Sequence, residues 1–283
     1  MKFSVFTAST PQWSREVAAR TLAAQGWDGI EWRVTDQVDS PVPGFWAGNQ
    51  ATWPLATLAQ DTPEIARITR DAGLELSGLG GYAQCDDHGS VETLLVATAA
   101  LGARQVRITV PRTGTSGNYR EAFALARHHV EWVAERAAAH GVKALVELHH
   151  GTLTSSASSA MRLIDGLDPE HIGVIHDLGN GRIEGHEDHL SAFELLGSYL
   201  AHVHVKNLRW SPRSIAEPDG SVLWDWQWAP LRTGQADVRG YFDALREFGY
   251  DGWVTAEDFS LDLPLEERTR DNLAYLKAVS TPS

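Results

Sequence analysis

Apolar and polar positions alternate along this chain in a recurring unit. An amphipathic helical stretch ends at a glycine, and a short β-rich run follows. The unit appears at 23–32 (AAQGWDGIEW), 70–79 (RDAGLELSGL), 100–110 (ALGARQVRITV), 139–148 (AAHGVKALVEL) and 247–257 (EFGYDGWVTAE). The glycine suits the left-handed residue that closes a helix. Two more strands read without it, at 172–180 (IGVIHDLGN) and 199–207 (YLAHVHVKN), and KFSVFT at 2–7 opens the chain. Helical periodicity predicts helices near 15–25, 62–72, 90–101, 118–140, 156–166, 187–197, 237–248 and 265–278.

Eight strands alternating with helices require right-handed parallel crossovers. They predict an α/β fold, a (β/α)8 TIM barrel, as a single domain over 1–283. The rival is an open doubly wound sheet, which usually carries a glycine-rich phosphate loop after its first strand. Here that segment reads ASTPQWS and has no glycine. The longest irregular stretches are 34–56 and 207–236. Both follow strands, which puts them on the catalytic face of a barrel. Both are rich in tryptophan: Trp46 and Trp53, then Trp210, Trp224, Trp226 and Trp228. Flat rings suit the C–H faces of a sugar, and equally suit core packing or a homodimer contact.

Composition narrows the partners. With 37 acidic against 24 basic residues, the net charge of −13 disfavours nucleic acid. No apolar run approaches the ~18 residues of a membrane span, and MKFSVFTASTP is a poor signal peptide. The lone Cys85 cannot form an internal disulfide. These features predict a cytoplasmic protein and say nothing about a small neutral substrate.

The last four strands each deliver one metal-competent side chain near their C-terminal ends: Glu147, Asp177, His204 and Glu257. Side chains alternate across a strand. Glu147 therefore shares a face with Leu145 and His149, His204 with His202 and Lys206, and Glu257 with Thr255. The opposing sets are wholly apolar and belong against the helices, so the candidate ligands face the barrel axis. Three carboxylates and an imidazole form an oxygen-rich site for one divalent ion. Mn²⁺ is the leading expectation, with Mg²⁺, Co²⁺ or Zn²⁺ as alternatives. Without a cation the carboxylates would raise one another's pKa. Taken singly, each residue has a plainer reading. Glu147 could pair with Arg107, Asp177 could cap the following turn, and His204 could be a hydrogen-bonded core histidine.

The stretches VELHHGT (146–152), GVIHDLGN (173–180), AHVHVKN (201–207) and GYDGWVTAEDF (249–259) resemble the xylose-isomerase-like TIM-barrel superfamily. This group of sugar phosphate isomerases and epimerases includes ketose 3-epimerases, inosose dehydratase, hydroxypyruvate isomerase and endonuclease IV. The resemblance implies that Glu147, Asp177, His204 and Glu257 bind the metal. It also implies that Glu147 and Glu257 act catalytically, one removing a proton beside a carbonyl and the other returning it to the opposite face. Ketose epimerases and endonuclease IV tend to carry histidine where this chain has Asn180. Strands three and four lack the histidines of a trinuclear zinc site.

Lys206, Arg209, His149 and Asn180 are the candidates for substrate binding. His150 would join them only if its strand has already ended. The leading expectation is a metal-dependent isomerase or epimerase of a ketose or related polyol. The alternative is a lyase or dehydratase on a keto-sugar or inosose. A catalytically silent sugar-binding barrel is a third reading, which the intact ligands oppose.

Overall fold

The computed structural model describes residues 1–114, 117–215 and 217–281. Eight parallel strands close into a barrel. They are β1 (Lys2–Phe6), β2 (Gly29–Val34), β3 (Glu75–Gln84), β4 (Gln105–Thr109), β5 (Lys143–Glu147), β6 (Ile172–Asp177), β7 (Leu200–Val205) and β10 (Trp253–Ala256). The order around the barrel is β1-β10-β7-β6-β5-β4-β3-β2.

The predicted helices are present: α1 (Arg15–Gln25), α2 (Leu58–Ala72), α3 (His88–Ala100), α4 (Tyr119–His140), α5 (Ala157–Ile164), α7 (His189–Leu196), α8 (Val238–Phe248) and α9 (Leu265–Ser280). Gly26 and Gly249 end α1 and α8 at φ 87° and 82°, as the recurring unit requires. Apolar strand residues such as Val146, Val174, Val203 and Val254 are buried in one core with residues such as Leu22, Leu94, Val133 and Phe242 of the surrounding helices.

Two elements depart from the expected pattern. A short helix, α6 (Leu178–Glu184), starts directly after β6. The stretch 207–236 is not wholly irregular, because β8 (Asn207–Pro212) and β9 (Trp224–Ala229) form an antiparallel pair. In β9, Trp224, Trp226 and Trp228 alternate with Asp225 and Gln227, a strand signal that the sequence analysis passed over.

Barrel interiors are usually filled by branched aliphatic residues. Here Ser4, Gln105, His202 and Thr255 are buried and polar, and each has a hydrogen-bond partner. Phe6 lies against the ring of His204, with ring centroids 5.9 Å apart. Gly80 makes room for it, since a Cβ there would sit 2.1 Å from Phe6 Cε2. The polar cluster thus rests on a packed ring rather than on a water-filled shaft.

Candidate metal centre and its cavity

Glu147 and Asp177 are the last residues of β5 and β6, and His204 lies one residue before the end of β7. Glu257 follows β10 and stays tied to the sheet through its backbone N–H, which donates to Val205 O at 3.0 Å. Asp177 and His204 are register partners. All four side chains are buried, and their ligand atoms lie within 4.8 Å of one another. Strand parity therefore brings the predicted set together.

The His204 Nδ1 atom is buried and has no hydrogen-bond partner among the described residues. It faces Glu257 Oε1 at 3.3 Å, Glu147 Oε1 at 3.6 Å and Asp177 Oδ2 at 3.9 Å. An imidazole nitrogen aimed at three carboxylate oxygens is a donor set that fits a divalent cation.

The three plainer readings hold alongside this convergence, since His204 is also a buried histidine with Nε2 3.0 Å from Glu31 Oε2. Arg107 Nη1 donates to Glu147 Oε2 at 2.7 Å with both groups buried. Asp177 Oδ1 accepts from the Asn180 backbone N–H at 2.7 Å and caps α6, which leaves Oδ2 for the cluster. Lys206, just past β7, places Nζ 2.5 Å from Glu257 Oε2 and 2.8 Å from Asp177 Oδ2.

The electrostatics follow from this crowding. Burial, Glu257 and Glu147 together push Asp177 up to about 7, against the pull of Lys206. Burial would raise Glu147 too, but Arg107 and Lys206 hold it well below the usual carboxylate range. Glu257 sits at about 2 because Lys206 and His204 outweigh its burial. Burial would lower His204, yet Glu31 and Glu257 lift it well above its ordinary value.

A cavity of about 380 Å³ opens over the cluster. Glu147, Glu257, Lys206 and Arg107 form its polar end. His149 and His150 line it, so the strand has ended before His150 and both imidazoles are available. Burial lowers both pKa values, that of His150 to about 4. Asn180 is spent behind the wall: its Nδ2 donates to Glu147 Oε1 at 3.1 Å, and its Oδ1 meets His150 Nδ1 at 2.8 Å. Arg209 lies on β8, half-buried, and pairs with Asp262 at 3.1 Å.

The tryptophans occupy different environments, and Trp224 is exposed. Trp46, Trp226 and Trp228 line the cavity with Phe259, whereas Trp53 is buried edge-on against Trp32.

Sequence reasoning missed Glu31. It lies on β2, 2% exposed, and its Oε2 is 3.0 Å from the Nε2 atoms of both His202 and His204. The signal was available: Ile30, Trp32 and Val34 form an apolar face, so Glu31 and Arg33 had to point toward the axis. His202 lies one layer deeper than His204 and bonds Gln105 and Thr255.

The structure is an eight-stranded parallel barrel with a buried carboxylate–histidine cluster, a candidate metal-ligand set, at its C-terminal mouth. The chain belongs to the xylose isomerase-like TIM barrel family, whose pattern it matches over residues 19–279. It is 25% identical over 132 residues to inosose dehydratase of Lacticaseibacillus casei, covering 45% of this chain and 44% of that protein. It is 28% identical over 140 residues to the inosose dehydratase of Lactiplantibacillus plantarum, covering 47% and 46%. The matched segments thus span less than half the length of these relatives.

Among solved structures, 3-keto-D-glucoside 4-epimerase from E. coli superposes with a TM-score of 0.73 at 17% identity, covering 98% of this chain and 99% of that one. The probable 3-DHS dehydratase of Bacillus anthracis gives 0.73 at 17%, covering 100% of both. A zinc-bound protein termed IOLI gives 0.74 at 15%, covering 99% and 98%. At these identities the likeness concerns the fold. No helix among the described residues is long and apolar enough to cross a membrane.

Proposed function

We propose that this chain is a divalent-metal-dependent isomerase or epimerase of a ketose or related polyol, working by proton transfer beside a carbonyl. The carrying observation is that Glu147 and Glu257, on strands from different parts of the barrel, present carboxylates to one cavity beside Asp177 and the unpaired His204 Nδ1. Glu147, Asp177, His204 and Glu257 would hold the cation, and the zinc-bound neighbour supports that reading. When bound, the cation supplies Lewis-acid polarisation of the carbonyl. The oxygen-rich donors favour Mn²⁺.

The residues themselves divide the remaining work. One of Glu147 and Glu257 takes the C–H proton and the other returns one. Lys206 stands at the polar end of the cavity to bind a substrate oxygen, and His149 and His150 offer further polar contacts. Asn180 holds Glu147 and His150 in place. The rings of Trp226, Trp228 and Phe259 exclude water and offer flat surfaces to the substrate's C–H faces.

A second reading is a lyase or dehydratase acting on a keto-sugar or inosose. The inosose dehydratase relatives favour it. It begins with the same proton removal and differs in the departure of a leaving group. One experiment tests both: a panel of keto-sugars and inososes incubated in heavy water with Mn²⁺. Deuterium in an unchanged carbon skeleton supports the isomerase or epimerase, and loss of water supports the lyase. No exchange with any member overturns proton-transfer chemistry on this substrate class.

A further inference from the structure

We propose that Glu31 is a positioning residue that fixes the tautomer of His204, so that its Nδ1 lone pair points at Glu147, Asp177 and Glu257. This rests on reading that cluster as a metal site.

The direction of each hydrogen bond follows from the one before it. Ser77 O is a carbonyl and can only accept, so the Gln105 side chain turns its amide nitrogen toward it, at 3.0 Å. The same nitrogen lies 2.7 Å from His202 Nδ1, which must therefore accept. A neutral imidazole accepting at Nδ1 carries its proton on Nε2. That proton goes to Glu31 Oε2 at 3.0 Å, with Thr255 Oγ1 also in reach at 2.8 Å. The same oxygen accepts from His204 Nε2 at 3.0 Å. Glu31 thus receives two imidazole N–H groups and leaves the neutral His204 bare at Nδ1.

Without Glu31 the preference reverses. Glu257 Oε1 lies 3.3 Å from His204 Nδ1, and a proton there would be attracted to the carboxylates. An Nδ1–H would occupy the position from which the ring donates to a cation. Carboxylate partners of metal-binding histidines act in this way, and losing one typically costs about 10–100-fold in affinity.

Glu31, His202 and His204 could also be taken for a second cation site. Two contacts of hydrogen-bond length on one oxygen, with His202 Nδ1 engaged by Gln105, assign them to the supporting network instead.

The test is a calorimetric titration of the whole metal-free protein with Mn²⁺, and separately with Co²⁺, at fixed pH. It compares wild type, Glu31→Gln and Gln105→Leu. Expected are one ion per chain in wild type and a loss of affinity of about 10–100-fold in Glu31→Gln. Gln105→Leu acts two hydrogen bonds further away, through His202, and should show a smaller loss. The visible spectrum of the Co²⁺ form reports whether nitrogen still coordinates, and it should change in Glu31→Gln. Thermal unfolding in chelator separates positioning from folding, because a purely structural role would lower the melting temperature and leave the affinity of the folded protein unchanged. Wild-type binding with Glu31→Gln within about two-fold overturns the role of Glu31 and leaves the metal site standing. Two ions per chain also overturn it. No binding by wild type overturns both.

Discussion

Replacing Arg107 with methionine isolates the electrostatic support beneath Glu147. Arg107 is 4% exposed, and its Nη1 lies 2.7 Å from Glu147 Oε2. Its Nε donates to Gly81 O at 3.1 Å, and its guanidinium stacks 4.3 Å from the ring centroid of Tyr82. Methionine keeps most of the aliphatic stem and its packing but removes the charge. Removing one partner of a buried pair costs ~3–5 kcal/mol, because the other is left uncompensated. Glu147 keeps Asn180 Nδ2 at 3.1 Å and Lys206 Nζ at 3.7 Å, so the lower end, ~3 kcal/mol, is expected. That is a large part of the ~5–15 kcal/mol that a domain commands.

With a urea slope of ~3 kcal/mol per molar, the unfolding midpoint in chelator should fall by ~1 M. Saturating Mn²⁺ replaces the missing positive charge and should recover much of this. A cation at 100 times its Kd contributes ~2.7 kcal/mol. Urea unfolding followed by circular dichroism, with chelator and with Mn²⁺, measures both quantities. A metal-free loss below ~1 kcal/mol would show that Glu147 does not depend on Arg107, and the account of its low pKa would fail with it.

Two of the cluster's three acids can be separated by their amides. Glu257→Gln should lose at least ~100-fold in turnover, the scale of acid–base catalysis, while keeping partial metal binding. Asp177→Asn should lose mainly affinity and regain activity with excess Mn²⁺; full rescue of Glu257→Gln by excess metal would reduce Glu257 to a ligand. His176 is buried behind the sheet, where burial and His189 depress its pKa to about 3, against ~6.5 when unfolded. The folded state therefore disfavours the charged imidazole: this contribution is complete above pH ~6.5 and is lost toward pH 3 at up to about 1.4 kcal/mol per pH unit. Denaturant midpoints across that window should fall less steeply in His176→Gln, and parallel curves would refute the assignment.

Which parts of the molecule were legible in the sequence follows from how each signal is written. The barrel was legible because its repeating unit is local. A helix, its closing glycine and a strand fit within ten or so residues, as at 23–32 and 247–257. Glu147, Asp177, His204 and Glu257 were legible because each breaks the pattern of its strand at the same end. Glu31 breaks its strand in the same way, but it lies across the barrel from His204, and strand register around a closed sheet is not written in any one segment. The hairpin β8–β9 was missed although Trp224, Trp226 and Trp228 alternate with Asp225 and Gln227, because those rings were weighed only as the aromatics of an irregular stretch. The division of tryptophans between Trp53 in the core and Trp226 and Trp228 on the cavity wall depends on loop paths that composition does not specify.

Charge accounting ties the missed residue to the predicted ones. Glu31, Glu147, Asp177 and Glu257 are four buried carboxylates, and Arg107 and Lys206 are the arginine and lysine ion-paired with the last three. Two negative charges are left over. Burial with Glu257 and Glu147 raises Asp177 to about 7, and Glu31 with Glu257 lifts His204 well above its ordinary pKa against its burial. On the proposed metal reading, a divalent cation would supply two charges without protonating a ligand, and would leave His204 neutral to donate from Nδ1 while Nε2–H stays on Glu31. Counted without Glu31, the cluster is only one charge short, and a single proton on His204 would satisfy it. On the proposed reading, the second-strand acid is therefore what would make the cluster's demand divalent.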